Sequence, residues 1–299
     1  MYYILCNPLS ANKQGAVLSQ SLVSKLSAEE IQFVDIREVS DYSAFWRTID
    51  LKNDDVILSG GDGTLNRFIN ANLDTTLPEK LYYFAAGSGN DFKHDVSPDS
   101  DDLIPLHKYI KDLPIVTVNG KSYRFINGIG YGIDGYCCEV GDKLKEKSDK
   151  PVNYTGIAIK GLLFGFKPAN AKVTVDGVTT EYKRAWIAPT MKGKYYGGGM
   201  MVAPEQDRFD PEGMVSVALM YGTGKIKTLM VFPSIFKGEH VKHTEMVKIM
   251  RGHEITVEFD RPTALQIDGE TVLNVSSYTV TSGRKRDTNA VKASMSVEE

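Results

Sequence analysis

Short apolar runs alternate with amphipathic stretches over the first third of the chain. Tyr2–Cys6 is apolar and stops at Asn7-Pro8, Ala16–Leu26 has helical spacing, and Ile31–Ile36 reads as a strand. Val56–Leu58 ends in Gly60-Gly61-Asp62-Gly63-Thr64, after which Leu65–Leu73 is helical and Leu81–Ala85 strand-like. Apolar strands separated by helices predict a parallel sheet covered on both faces. The pattern changes near Pro114. Ile115–Val118 and Tyr123–Ile126 flank Asn119-Gly120, and Val173–Val175 is followed by Asp176-Gly177. Such dipeptides tolerate the positive φ of a tight hairpin turn. Arg184–Ala188, Val215–Met220, Ile255–Phe259, Leu265–Ile267 and Tyr278–Thr281 continue in β style, so the second half predicts an antiparallel sandwich.

The expected organisation is an α/β nucleotide-binding domain over residues 1–118 and a β-rich domain over residues 119–282. The polar stretch 283–299 is a tail that could return to the first domain. Of 299 residues, 42% are hydrophobic and 24% charged, values of an ordinary globular chain. Lys and Arg total 35 against 38 Asp and Glu, a net charge of −3 that argues against a nucleic-acid partner. Three cysteines make no disulfide framework and point to a reducing cytoplasm. The start of the chain has no basic segment ahead of an apolar core, unlike a signal peptide. Ile157–Phe166 is the most apolar segment and falls short of the ~20 residues of a spanning helix, so membrane work is expected from the surface.

Ser59-Gly60-Gly61-Asp62-Gly63-Thr64 sits between strand and helix, where glycines allow close backbone approach and the helix start attracts phosphate. Asp62 would act there through Mg²⁺ or on a nucleotide hydroxyl. Gly87-Ser88-Gly89-Asn90-Asp91-Phe92 also follows an apolar strand. Two such loops at one sheet edge face one crevice, the usual ligand site of open α/β sheets. Either loop by itself also reads as a plain βα turn. Asp268-Gly269-Glu270 by itself reads as a hairpin turn; on an extended strand its two carboxylates would share a face.

Together these motifs resemble the diacylglycerol kinase catalytic-domain family, in particular the soluble bacterial lipid kinases. The likeness spans nearly the whole chain. It takes in Asn7-Pro8, both glycine loops, Phe125-Ile126-Asn127-Gly128-Ile129-Gly130, Gly197-Gly198-Gly199-Met200 with Ala203-Pro204, Lys237-Gly238-Glu239-His240 and Asp268-Gly269-Glu270. It implies an NAD kinase/diacylglycerol kinase-like α/β domain plus a β-sandwich, with the active site in the cleft between them. It implies ATP and Mg²⁺ as cofactors and phosphorylation of a lipid hydroxyl, diacylglycerol first among the candidates. By the match, Asp62, Asp268 and Glu270 are catalytic: Asp62 and Asp91 serve the nucleotide–metal end, Asp268 helps hold metal, and Glu270 is the general base. Asn7, Gly60, Gly61, Asp62, Gly63, Thr64, Gly87, Ser88, Gly89, Asn90 and Asp91 would line the nucleotide site. A cytoplasmic protein, peripheral at the inner face of the membrane, follows; a homodimer is compatible with the resemblance.

The family pattern is broken in places. Ala11 stands where the family usually has glycine. Arg67 replaces the Glu that would complete a capping box with Thr64, and could instead help hold phosphate. A structural Mg²⁺ site would use Glu212, which replaces the usual Asp, with the backbone of Phe209 and Met214; the longer side chain makes the octahedral fit less sure. Lys143–Lys150 reads as a solvated loop that could meet anionic headgroups, and Tyr154–Phe166 as a helix with a core-facing or lipid-facing side. His240 and His243 lack a third ligand, and Cys137 and Cys138 read as small apolar residues. Two other functions stay open: a kinase of a soluble substrate such as a nicotinamide nucleotide, which shares Gly-Gly-Asp-Gly-Thr, and a non-catalytic nucleotide-binding regulator.

Overall fold

A computed structural model describes residues 1–26, 30–147 and 152–284. β1 (Tyr2–Cys6), β2 (Ile31–Asp35), β3 (Asp55–Gly60), β4 (Lys80–Ala85) and β5 (Ile104–Pro105) form one sheet in the order β2-β1-β3-β4-β5. The first four are parallel, and only the two-residue β5 is antiparallel. Val56, Ile57 and Leu58 are all fully buried, as a central strand between two layers requires. The glycine loops leave the carboxyl ends of β3 and β4, adjacent strands in register, so both open onto one edge.

The second sheet contains β6 (Ile115–Val118), β7 (Lys121–Arg124), β8 (Gly128–Tyr131), β9 (Ala169–Val175), β10 (Val178–Ala185) and β11 (Thr190–Met191). The short pair β12 (Tyr195–Tyr196) and β13 (Met200–Met201) stands apart. β14 (Val215–Met220), β15 (Val247–Gly252), β16 (Glu254–Ile267) and β17 (Glu270–Thr281) complete the large sheet. β16 pairs with β17, β9 and β8, so the sheet folds across it. Val217, Leu265, Val275 and Tyr278 lie inside the resulting sandwich. The helix Ile133–Lys147 and the segment Tyr154–Gly165 cover a second apolar layer around Trp186 and Met220.

Two boundaries differ from the sequence reading. β6, expected in the first domain, hydrogen-bonds to β17 and β7 in the second. The crossover therefore falls at Leu113-Pro114 and not at residue 118. The Asn119-Gly120 hairpin pairs β6 with β7 and so carries it into the second sheet. Ile255–Phe259 and Leu265–Ile267 are one 14-residue strand. Pro262 has no N–H, and the ladder with β17 shifts register between Glu258 and Thr263.

The turns at Asn119-Gly120 and Asp176-Gly177 have positive φ at both positions, as expected. Ala11 has φ +48°, the conformation for which the family's glycine is suited; a side chain there costs ~1–2 kcal/mol. Ile157, Ala158, Leu162 and Phe166 face the core, while Ile159 and Phe164 are exposed. The expected basic loop divides: residues 143–147 end the helix Ile133–Lys147, and residues 148–150 lie outside the described residues. Of the tail, Gly283 and Arg284 are described; Arg284 Nε donates to Asp112 Oδ2 of the first domain at 3.1 Å. His240 is buried with Nε2 on the Val202 carbonyl. Burial pushes the Cys137 and Cys138 thiols up, which leaves neither a ready thiolate.

Candidate active site

Gly61 precedes the helix Asp62–Ala71, whose first turn presents free N–H groups to the cleft. The two glycine loops touch backbone to backbone. A Cβ on Gly87 would lie 2.4 Å from Gly61 Cα, so neither position accepts a side chain without separating the loops. Asn90, itself at φ +53°, closes the second loop: its Oδ1 accepts from Gly87 N and its Nδ2 donates to Gly87 O, both at 3.0 Å. Asn7 Nδ2 donates to Thr64 Oγ1 at 2.9 Å, which joins the end of β1 to the first loop. Gly60 packs against the Thr64 side chain, and Ser88 is exposed at the loop tip.

Three aspartates stitch this edge to the second domain. Asp62 accepts from Asp91 N and Phe92 N at 3.0 and 2.9 Å and from Asn127 Nδ2 at 2.9 Å. Asp91 accepts from Gly198 N and Gly199 N at 2.9 and 2.6 Å. Burial and the neighbouring charge of Asp62 push the Asp91 carboxyl up, against the pull of those two amides. Asp268 accepts from Ile126 N, Asn127 N, Gly128 N and Asn66 Nδ2 at 2.7–2.9 Å. Burial raises its carboxyl too, opposed by the same donors.

The shared-face geometry expected for Asp268 and Glu270 is not formed. Asp268 and Gly269 are hairpin-turn residues with φ of +45° and +95° between β16 and β17. The turn sends the Asp268 carboxylate inward to four donors, which makes it an interdomain staple and leaves it poorly placed as a metal ligand. Glu270 points the other way, to the phosphate loop: a Cβ on Gly63 would lie 3.0 Å from Glu270 Oε1. Its Oε2 accepts from Arg67 Nη2 at 2.8 Å. Arg67 thus spans from the helix of the first loop to the expected base.

The loop expected to hold structural metal is arranged differently. Glu212 is exposed, and the Met214 carbonyl accepts from Gln206 Nε2 at 3.1 Å. Phe209 N donates to Asp207 Oδ1. The buried carboxylate is Asp210, which pairs with Arg251 at 2.8 Å. Among the described residues, no group of three or more His, Cys, Asp or Glu side chains could hold a metal ion.

Several partners escaped the sequence reading. Asn66 and Asn70 lie one helical turn apart and hold the Arg124 backbone; polar residues on the buried side of that helix were the available signal. Asp95 forms a buried pair with Arg208, whose guanidinium also donates to Asn127 Oδ1 at 2.7 Å. Asp134, on the Ile133–Lys147 helix, is pushed up to about 7 by burial. Its Oδ2 has no partner among the described residues. With an ordinary unfolded value near ~3.9, this group favours the fold while protonated. Stability should then fall as pH rises from about 4 through 7. Urea unfolding across that range should show a smaller fall in Asp134→Asn; an equal fall in both proteins would contradict the assignment.

The residues that meet in this cleft coincide with two family matches. Residues 1–114 match the diacylglycerol kinase catalytic domain, and residues 127–282 the YegS C-terminal NAD kinase beta sandwich-like domain. The chain belongs to the diacylglycerol kinase catalytic-domain family. Curated relatives include a Mycobacterium tuberculosis diacylglycerol kinase, 23% identical over 265 residues and covering 85% of this chain and 84% of the relative. A Bacillus subtilis diacylglycerol kinase is 23% identical over 223 residues, covering 72% and 70%. A solved diacylglycerol kinase from Bacillus anthracis shares the fold with TM-score 0.59 at 18% identity, over 94% of each chain. The family's α/β domain and β-sandwich are therefore the two layers described above.

Proposed function

We propose that this chain is an ATP- and Mg²⁺-dependent lipid kinase that phosphorylates a lipid hydroxyl, diacylglycerol first among the acceptors. The observation that carries the reading is the seat of Glu270 over Gly63 of the phosphate loop. A carboxylate there is within reach of an acceptor hydroxyl lined up with a terminal phosphate. Phosphoryl transfer asks chiefly for positioning and charge neutralisation. The glycine loops offer close backbone approach, and Glu270 takes the acceptor proton. Asp62 Oδ2 and Asp91 Oδ2 both border the space beside Gly89, 3.6 and 3.7 Å from where its Cβ would lie. Each has lone-pair capacity left for a hard cation. Bound Mg²⁺ would neutralise phosphate charge there.

The lipid part of the reading is supported by relatives named diacylglycerol kinase and by exposed apolar side chains. Phe164, Ile226 and Met230 are 84%, 75% and 70% exposed. Lys225 Nζ donates to the Leu163 carbonyl at 2.8 Å, which brings their two segments together. Such a patch beside lysines suits reversible contact with a membrane surface. Among the described residues, no helix is long and apolar enough to cross a membrane. The Arg67–Glu270 pair favours a second reading, a nucleotide-binding regulator whose base is neutralised. ATP turnover with lipid acceptor should vanish in excess chelator and return with added Mg²⁺. Undiminished turnover in chelator would overturn the metal-dependent mechanism.

A further inference from the structure

A cavity of about 30 Å³ lies where the domains meet. Lys108 and Asp112 line it from the first domain, Lys192, Arg208 and Asp210 from the second, and Arg284 from the tail. Its volume suits a few waters or one small oxyanion in an open-mouthed site.

The charges in this wall leave a cationic surplus. Arg208 is held in place, with three of its five N–H donors on Asp95, the Ile126 carbonyl and Asn127 Oδ1. Asp112 is paired with Arg284 at 3.1 Å and Asp210 with Arg251 at 2.8 Å. Lys192 is 8% exposed, and its ammonium makes no hydrogen bond or ion pair among the described residues. Lys108 is exposed, with its ammonium 4.8 Å from the Tyr109 ring centre. Burial, with the charges of Arg208 and Arg284, pushes Lys192 down. The side chain is largely buried while the ammonium itself keeps some access to the cavity; a partly desolvated cation without a protein partner is unfavourable, and a multivalent anion relieves that penalty.

We propose that this pocket binds a small oxyanion of the phosphate class, held by Lys192, Lys108 and Arg284, and that the bound ion ties the two domains together. A tetrahedral oxyanion offers several acceptors, enough to serve cations from both domains at once, and lysine binds phosphate as a point charge. The tie has a route to the glycine loops. Arg208 in the pocket wall holds Asn127, and Asn127 holds Asp62. The phosphate group could arrive as free ion or as a lipid headgroup. Neither source requires the proposed kinase activity.

Thermal unfolding with inorganic phosphate tests it, against chloride at equal ionic strength. At about ten times the phosphate Kd, Tm should rise ~2–4 °C. Lys192→Met should begin at a higher Tm without phosphate, because it removes the unpartnered charge, and gain nothing from phosphate. Lys108→Ala, at an exposed position, should raise the phosphate Kd ~5-fold; it decides the matter if Lys192→Met does not fold. Gly89→Val, in the glycine loops, should keep the phosphate response. Flotation on vesicles with phosphatidate, against phosphatidylcholine alone, supplies the headgroup arm. A response to either source that Lys192→Met abolishes supports the site. Overturning results are a response to neither source, an unchanged response in Lys192→Met or Lys108→Ala, or a response lost in Gly89→Val and kept in Lys192→Met.

Discussion

Glu270→Gln is expected to lower lipid-dependent turnover ~10²–10⁴-fold, roughly 3–5 kcal/mol of transition-state stabilisation. Glutamine keeps the size of the side chain and an oxygen for Arg67 Nη2, which donates to Glu270 at 2.8 Å. What it lacks is a carboxylate able to take the acceptor proton. ATP affinity should change little, because both glycine loops belong to the first domain. Turnover and ATP Kd, measured together on the variant, separate the roles. Near-normal turnover would remove Glu270 from the chemistry.

Asp268→Asn is expected to destabilise the fold by about 2–4 kcal/mol. The carboxylate receives three backbone amides and the Asn66 side chain. An asparagine can serve the donors on one oxygen only. Its NH₂ then faces the Ile126 N–H and Asn66 Nδ2, so buried donors are left unpaired. Denaturant unfolding should show the loss, with no change in the Mg²⁺ concentration needed for half-maximal activity of the folded variant. A variant of native stability with altered Mg²⁺ dependence would instead make Asp268 a metal ligand.

Where local pattern decides structure, the sequence was sufficient. The apolar strands β1, β3 and β4, the loops that follow β3 and β4, and the turns at Asn119-Gly120 and Asp176-Gly177 all have short-range causes. Where the cause is long-range, it was not. The pairing of β6 with β17, far along the chain, is one such case. Arg67 and Glu270 meet across 203 positions, and no spacing rule links them. Asp268 and Glu270 diverge because positive φ at residues 268 and 269 reverses the chain; an Asp-Gly pair permits that turn without requiring it. Asp134 carries no local mark of burial, since its environment is built by elements from elsewhere in the second domain.

Phosphate transfer from labelled ATP, with Mg²⁺, to a panel of acceptors tests the central claim most directly. Diacylglycerol, monoacylglycerol, a sphingoid base and phosphatidylglycerol in mixed micelles would be compared with soluble NAD. Label should enter a lipid, diacylglycerol foremost, and that transfer should be lost in Glu270→Gln. Label entering NAD alone, or no acceptor at all, would contradict the account.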